Sequence, residues 1–143
     1  MYQPIGAKRT MPGDMKIWTM IAVLAATPAM AEKREMPDYL VDAIVASTTA
    51  RTIAMSCPDL SVNPIAANRA STELITKLEA DGISTDDPIS DVLDDPERFA
   101  ARQQAFMDKH DLDGAPTTLV CDAGRAEMAE GTGIGALLIE EGK

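Results

Sequence analysis

Two cysteines, one histidine, a Gly-Arg-Ala-Glu stretch and an acidic run are the places where this chain's residue types could do chemistry. Cys57 and Cys121 lie far outside the Cys-x-x-Cys spacing of a redox dithiol. An even cysteine count suits a structural disulfide, provided that the chain reaches an oxidising compartment. Closing a loop of about 64 residues contributes ~4 kcal/mol on the chain-entropy model, a large share of a small domain's stability. Two Cys and one His are too few soft ligands for a structural zinc site.

The remaining candidates resolve into structural roles. Asp111-Leu112-Asp113-Gly114 has the flavour of a calcium loop, but Lys109 and Val120 would occupy its first and last ligand positions, and neither can coordinate calcium there. The acidic cluster from Asp86 to Glu97 reads as solvated helix-cap chemistry, with a weak calcium or small-ligand site as the alternative. Gly131-Thr132-Gly133-Ile134-Gly135 lacks the lysine and the preceding strand of a phosphate loop. His110 reads as a surface histidine near a helix end, and Arg125 with Glu127 as an ion pair. No nucleophile–base–orienter set emerges. The expectation is a protein without catalytic residues, without a cofactor and without a metal.

The compartment that the disulfide requires is written at the N-terminus. Lys16 precedes the apolar stretch Ile17 to Thr27, and Ala29-Met30-Ala31 supplies the small-x-small pattern of signal-peptide cleavage at Ala29 and Ala31. The stretch is shorter than the ~20 apolar residues that span a bilayer, so no stable membrane insertion is expected after cleavage. Met15, directly before Lys16, gives a compact signal and reads as a candidate true start. Residues 1–31 are therefore read as a signal peptide and residues 32–143 as a single domain, periplasmic or secreted. The whole chain holds 13 basic and 23 acidic side chains. Removing Lys8, Arg9, Lys16 and Asp14 with the leader shifts the formal charge from −10 by a further two negative units. Such a surface argues against nucleic acid, whose phosphates need a basic footprint.

The elements that must position these groups read as helices. Pro37 opens a first helix bearing Leu40, Val41, Ile44 and Val45, which ends at Cys57-Pro58. Asn63-Pro64 pairs an N-cap with a first-turn proline for a second helix stopping at Gly82. Ser84 or Thr85 caps a short acidic third, and Asp95-Pro96 opens a fourth carrying Phe99 and Phe106. Pro116 opens the last, on which Gly124, Gly131 and Gly135 share one face; three glycines cost a helix roughly 1 kcal/mol each, so close packing by a neighbour is expected there. No period-two run is long enough for a sheet. The fold class is all-α, a small bundle of about five helices with one disulfide.

The stretch from Cys121 to Leu138, with its Cys-x-x-Gly-Arg-x-Glu opening and Ile-Gly-x-Leu-Leu close, resembles the C-terminus of a bacterial domain-of-unknown-function family of small exported proteins. Cys57 at the end of the first helix and Gly82-Ile83-Ser84 at the end of the second extend the resemblance over most of residues 37–138. The resemblance implies no established activity. It implies an accessory or assembly role beside a proton-pumping respiratory NADH:quinone oxidoreductase, whose genes accompany members of the family. From the residues themselves the expectation is a non-catalytic interaction protein, turning an acidic surface toward an unknown protein partner in the cell envelope.

Overall fold

A computed structural model describes residues 35–84 and 95–142. Among these residues lie four α-helices and a short two-stranded ribbon: α1 (Asp38–Ser56), β1 (Leu60–Val62), α2 (Pro64–Ala80), α3 (Pro96–Lys109), α4 (Thr117–Glu130), a 3-10 turn (Gly135–Leu137) and β2 (Leu138–Glu140). The all-α expectation holds. The short acidic helix expected from Ser84 or Thr85, and the residues around Ala29 and Ala31, lie outside the described residues.

α1 is the axis of the domain. Its buried residues, Leu40, Val41, Val45, Thr49, Ala50 and Ile53, recur on more than one side, because helices α2, α3, α4 and the ribbon all pack on it. Two apolar clusters result. Met36, Leu40, Val41, Val45, Leu78 and Ile83 fill one end, with Tyr39, Leu74 and Phe99 against them. Ala50, Ile53, Cys57, Leu60, Leu137 and Leu138 fill the other, joined by Phe106, Val120 and Met128. With so few large rings, aliphatic side chains carry the burial in both.

The helix ends follow from local residue chemistry. The Asn63 side chain accepts from the amides of Ile65 and Ala66, each at 3.1 Å, and Pro64 takes the position where a missing N–H costs nothing. Asp95 does the same for α3, accepting from the amide of Arg98 at 3.3 Å. α2 closes in a Schellman motif: the amide of Ile83 donates to the carbonyl of Leu78 at 2.9 Å and that of Gly82 to Glu79 at 3.0 Å. Leu78 and Ile83 then meet in the core, as that motif favours. α3 ends likewise, with Asp111 taking the left-handed position at φ 51°.

The last segment departs from its expected form. α4 stops at Glu130, the chain turns through Gly131, and Leu138–Glu140 return as a strand. β2 pairs antiparallel with β1 in the register Leu60↔Glu140, Ser61↔Ile139, Val62↔Leu138. Three residues per strand are too few to show alternation, so tertiary placement rather than period creates this ribbon.

α2 is thinly packed. Of its 17 residues only Leu78 is fully buried. Tyr39 at the start of α1 donates a 2.6 Å hydrogen bond to Asp81 just past the end of α2, so the two helices run antiparallel. That bond to Asp81 is also the main reason the Tyr39 phenol is pushed up to about 12.

Candidate functional site

The polar centre of the domain lies where α3 and α4 end. Glu127 sits in the last turn of α4, where the helix dipole disfavours a negative charge. Its side chain is nonetheless only 3% exposed. What allows this is a converging set of donors. Lys109 Nζ donates to Glu127 Oε1 at 2.8 Å, and His110 Nε2 reaches the same oxygen at 2.7 Å. Thr132 Oγ1 donates to Oε2 and accepts from the amide of Gly135 at 3.1 Å. Burial pushes the Glu127 carboxyl up, but the hydrogen bonds from Lys109, Thr132 and His110 outweigh it and bring it down to about 2. Lys109 is held above its ordinary range by its hydrogen bonds to Glu127 and then to Glu130. Lys109 and His110 stand at the C-terminal end of α3, where the dipole favours positive charge.

The arrangement is a clamp between two helix ends and a turn. α4 closes in a Schellman motif: Thr132 N–H donates to the Glu127 carbonyl at 3.2 Å and Gly131 N–H to that of Met128 at 3.2 Å. Such a motif commonly carries an apolar contact between those flanking positions. Here the contact is instead a hydroxyl on a carboxylate. His110 also packs its ring on Phe106, with centroids 5.0 Å apart.

Several expected site residues fall elsewhere than the sequence reading placed them. Arg125 does not pair with Glu127. It bonds Asp122 at 3.2 Å and Asp59 at 3.4 Å, because residues two apart project from different sides of a helix. That spacing rule was available from the sequence and already argued against the pair. His110 is not a surface histidine; its side chain is 10% exposed. The shared glycine face does not exist, because the helix ends before Gly131. Gly131 is the left-handed cap at φ 66°, with open space around it and no packing role. Gly124 and Gly135 do sit at close approaches. A Cβ at Gly124 would lie 2.7 Å from Ile53 Cγ2 and 2.8 Å from Leu60 Cδ1, and one at Gly135 would fall 2.0 Å from the Glu127 carbonyl oxygen.

Cys57 and Cys121 form the disulfide, with their Cα atoms 5.5 Å apart. It ties the C-cap of α1 to the second turn of α4, whose far end the Glu127 clamp holds. At the opposite end of the domain, Arg98 donates to the Met36 carbonyl at 2.6 Å and to Asp95 at 3.0 Å, and pairs with Asp38. Arg102 pairs with Asp42 at 2.9 Å. These bonds fasten the first turns of α3 to the first turns of α1. Lys109, Thr132 and Arg98 were not singled out from sequence, since their partners lie tens of residues away or across a turn.

Of the acidic run, Asp95 is consumed as cap and ion-pair partner, and Asp86 to Asp94 lie outside the described residues. No group of three or more metal-ligating side chains occurs among the described residues, and no helix among them is long and apolar enough to cross a membrane.

The model of DUF5333, a family of unknown function, matches residues 32–139. The chain belongs to this family. The match takes in all four helices, the disulfide, the clamp and most of β2. No curated protein and no solved structure matches the chain.

Proposed function

We propose that this DUF5333 protein is an exported, non-catalytic interaction protein that acts on a protein partner in the cell envelope. The observation that carries the reading is the fate of its chemically capable groups. Glu127, Lys109, His110 and Thr132 are bonded to one another as a joint between helices, and both cysteines are spent on the disulfide. Both oxygens of the buried Glu127 carboxylate are hydrogen-bonded within the protein, which supports a structural role for it. A disulfide closing a long loop suits an oxidising compartment, in line with the signal-peptide pattern ahead of the domain. The formal charge, −10 for the whole chain and two units more negative without the leader, keeps such a domain soluble and away from anionic polymers.

The test is affinity capture of the mature, disulfide-bonded protein from envelope extracts at low and at moderate salt. The reading expects one partner recovered in stoichiometric amount under both conditions. Recovery of nothing specific at either salt would overturn it. An accessory role beside a respiratory NADH:quinone oxidoreductase is a narrower form of the same proposal, and would show as co-capture of that enzyme's membrane-arm subunits.

A further inference from the structure

Between α1 and α2 runs an open cleft of about 730 Å³. Small residues line both walls, among them Ala46 and Ser47 on α1 and Ala67 and Ala70 on α2. Facing small residues normally let helix axes close to about 8 Å. Here the turn at residues 133–137 lines the cleft between the two helices, with Gly133 against Ala46, while Ala70 remains exposed on the stripe that Leu74 and Leu78 continue. The cleft is as long as its walls. From Tyr39 to Arg51, or Ala66 to Lys77, the distance is about 17 Å, roughly three helical turns.

Charge singles out the same place. Among the described residues Arg98, Arg102, Lys109 and Arg125 are all ion-paired. Arg51, Arg69 and Lys77 form no ion pair among the described residues, and all three line this cleft. Lys77 Nζ lies over the Tyr39 ring, 5.7 Å from its centroid. Of the two acidic groups on the lining, Asp42 is paired with Arg102 and only Glu73 is uncompensated. Carboxylates are in excess everywhere on this chain, so their presence at any one spot says little. Cations are scarce, and those left unpaired gather here. Because α1 and α2 are antiparallel, Arg51 and Arg69 stand toward one end of the cleft and Lys77 toward the other.

We propose that the α1–α2 cleft docks an acidic amphipathic helix of a partner protein. The inference rests on the interaction-protein reading above and names the docking surface and the partner's chemistry. Two antiparallel helices whose seam of small residues is floored by the turn at residues 133–137 and open beyond it present the seat that a third helix fills in a bundle. The apolar stripe of the incoming helix covers Ala46, Ala70 and Leu74, and its flanking carboxylates meet Arg51 and Arg69 at one end and Lys77 at the other. The long-range field of the net −10 chain repels an acidic partner, so docking depends on contacts inside the cleft, within the ~8 Å over which charge acts at physiological salt.

The test titrates the disulfide-bonded, isotope-labelled protein, at physiological salt, with two synthetic helices of about 14 residues. They share one Leu/Ala stripe and differ only in Glu or Lys flanks. The Glu-flanked peptide is expected to give saturable amide shifts at Ala46, Ala70 and Leu74, and the Lys-flanked peptide none. Arg69→Glu with Lys77→Glu, both on the exposed helix surface, should weaken the first peptide by at least about tenfold and admit the second. Ala70→Trp, which fills the cleft from an exposed position, should abolish saturable shifts while preserving the folded spectrum. Equal binding of both peptides, shifts confined to residues outside α1, α2 and the turn at residues 133–137, or no saturable binding would overturn the proposal. So would occupation of the cleft by a second copy in sedimentation, or by phosphatidylglycerol vesicles in place of the peptide. Photocrosslinkers at Ser47 and Ala70 separate this failure from that of the broader reading. If the captured envelope partner crosslinks only from other surfaces, the cleft proposal falls and the interaction role stands.

Discussion

Replacing Glu127 by Gln removes one charge at the joint of α3, α4 and the following turn while keeping the side chain's shape. Gln stands in for the neutral acid, so the cost follows from the carboxyl's preference for ionising in the folded state. That group is brought from 4.5 to about 2 by its three donors, against the opposing effect of burial. At 1.36 kcal/mol per pKa unit the preference is worth about 3 kcal/mol at neutral pH. Because the folded value lies below the unfolded one, this contribution is complete above about pH 5 and drains away as pH falls through 4.5 toward 2. Urea unfolding of wild type and Glu127→Gln, followed by far-ultraviolet circular dichroism between pH 7 and pH 2.5, measures it. The expected gap is about 3 kcal/mol at neutral pH, shrinking on acidification as the wild-type carboxyl takes up its proton. Arg125→Ala serves as control and should stay within about 0.5 kcal/mol of wild type, since its pairs with Asp59 and Asp122 are exposed. A gap below about 1 kcal/mol at neutral pH, or one that does not change with pH, would refute the assignment of Glu127 as the stabilising hub.

Cys57→Ser with Cys121→Ser should lower stability by ~4 kcal/mol, and reduction of the wild type should reproduce that loss in the same urea titration. The glycines should rank by what their Cβ would meet, read as shifts in thermal midpoint. Gly135→Ala strikes backbone that cannot yield and should be the most damaging. Gly124→Ala presses on Ile53 and Leu60 side chains and should cost roughly 1–3 kcal/mol, partly offset by helix propensity. Gly131→Ala should cost only the ~1 kcal/mol of a left-handed alanine. Asn63→Ala removes the cap of a helix with one fully buried residue, and should cost about 1 kcal/mol and raise amide exchange in the first turn of α2.

What the sequence disclosed of this fold is what local chemistry dictates. Asn63-Pro64 and Asp95-Pro96 marked two helix starts, because a capping side chain followed by proline fixes the entry of a helix without help from elsewhere. The even cysteine count behind an export pattern pointed to the disulfide. The shared glycine face came from reading spacing as continuous helix where the chain had already turned, whereas the Arg125–Glu127 pair failed on its two-residue spacing within an unbroken helix. Gly124, Gly131 and Gly135 share a face only in an unbroken helix, and Gly131 is the residue that breaks it. The β1–β2 ribbon leaves no periodic trace in three residues per strand. Lys109, His110 and Thr132 come to Glu127 through the joining of two helix ends, which no local pattern encodes. That Arg51, Arg69 and Lys77 line one cleft without an ion pair is visible only once the pairing of the other cations is known.

The central claim is an exported domain whose cysteines are committed to holding it together. It is tested most directly by the intact mass of the natively expressed protein, isolated without reductant and alkylated before and after reduction. The account predicts a mass matching residues 32–143, with Cys57 and Cys121 alkylated only after reduction. An uncleaved chain with both thiols reactive at once would contradict it and would move the protein's work to the cytoplasm.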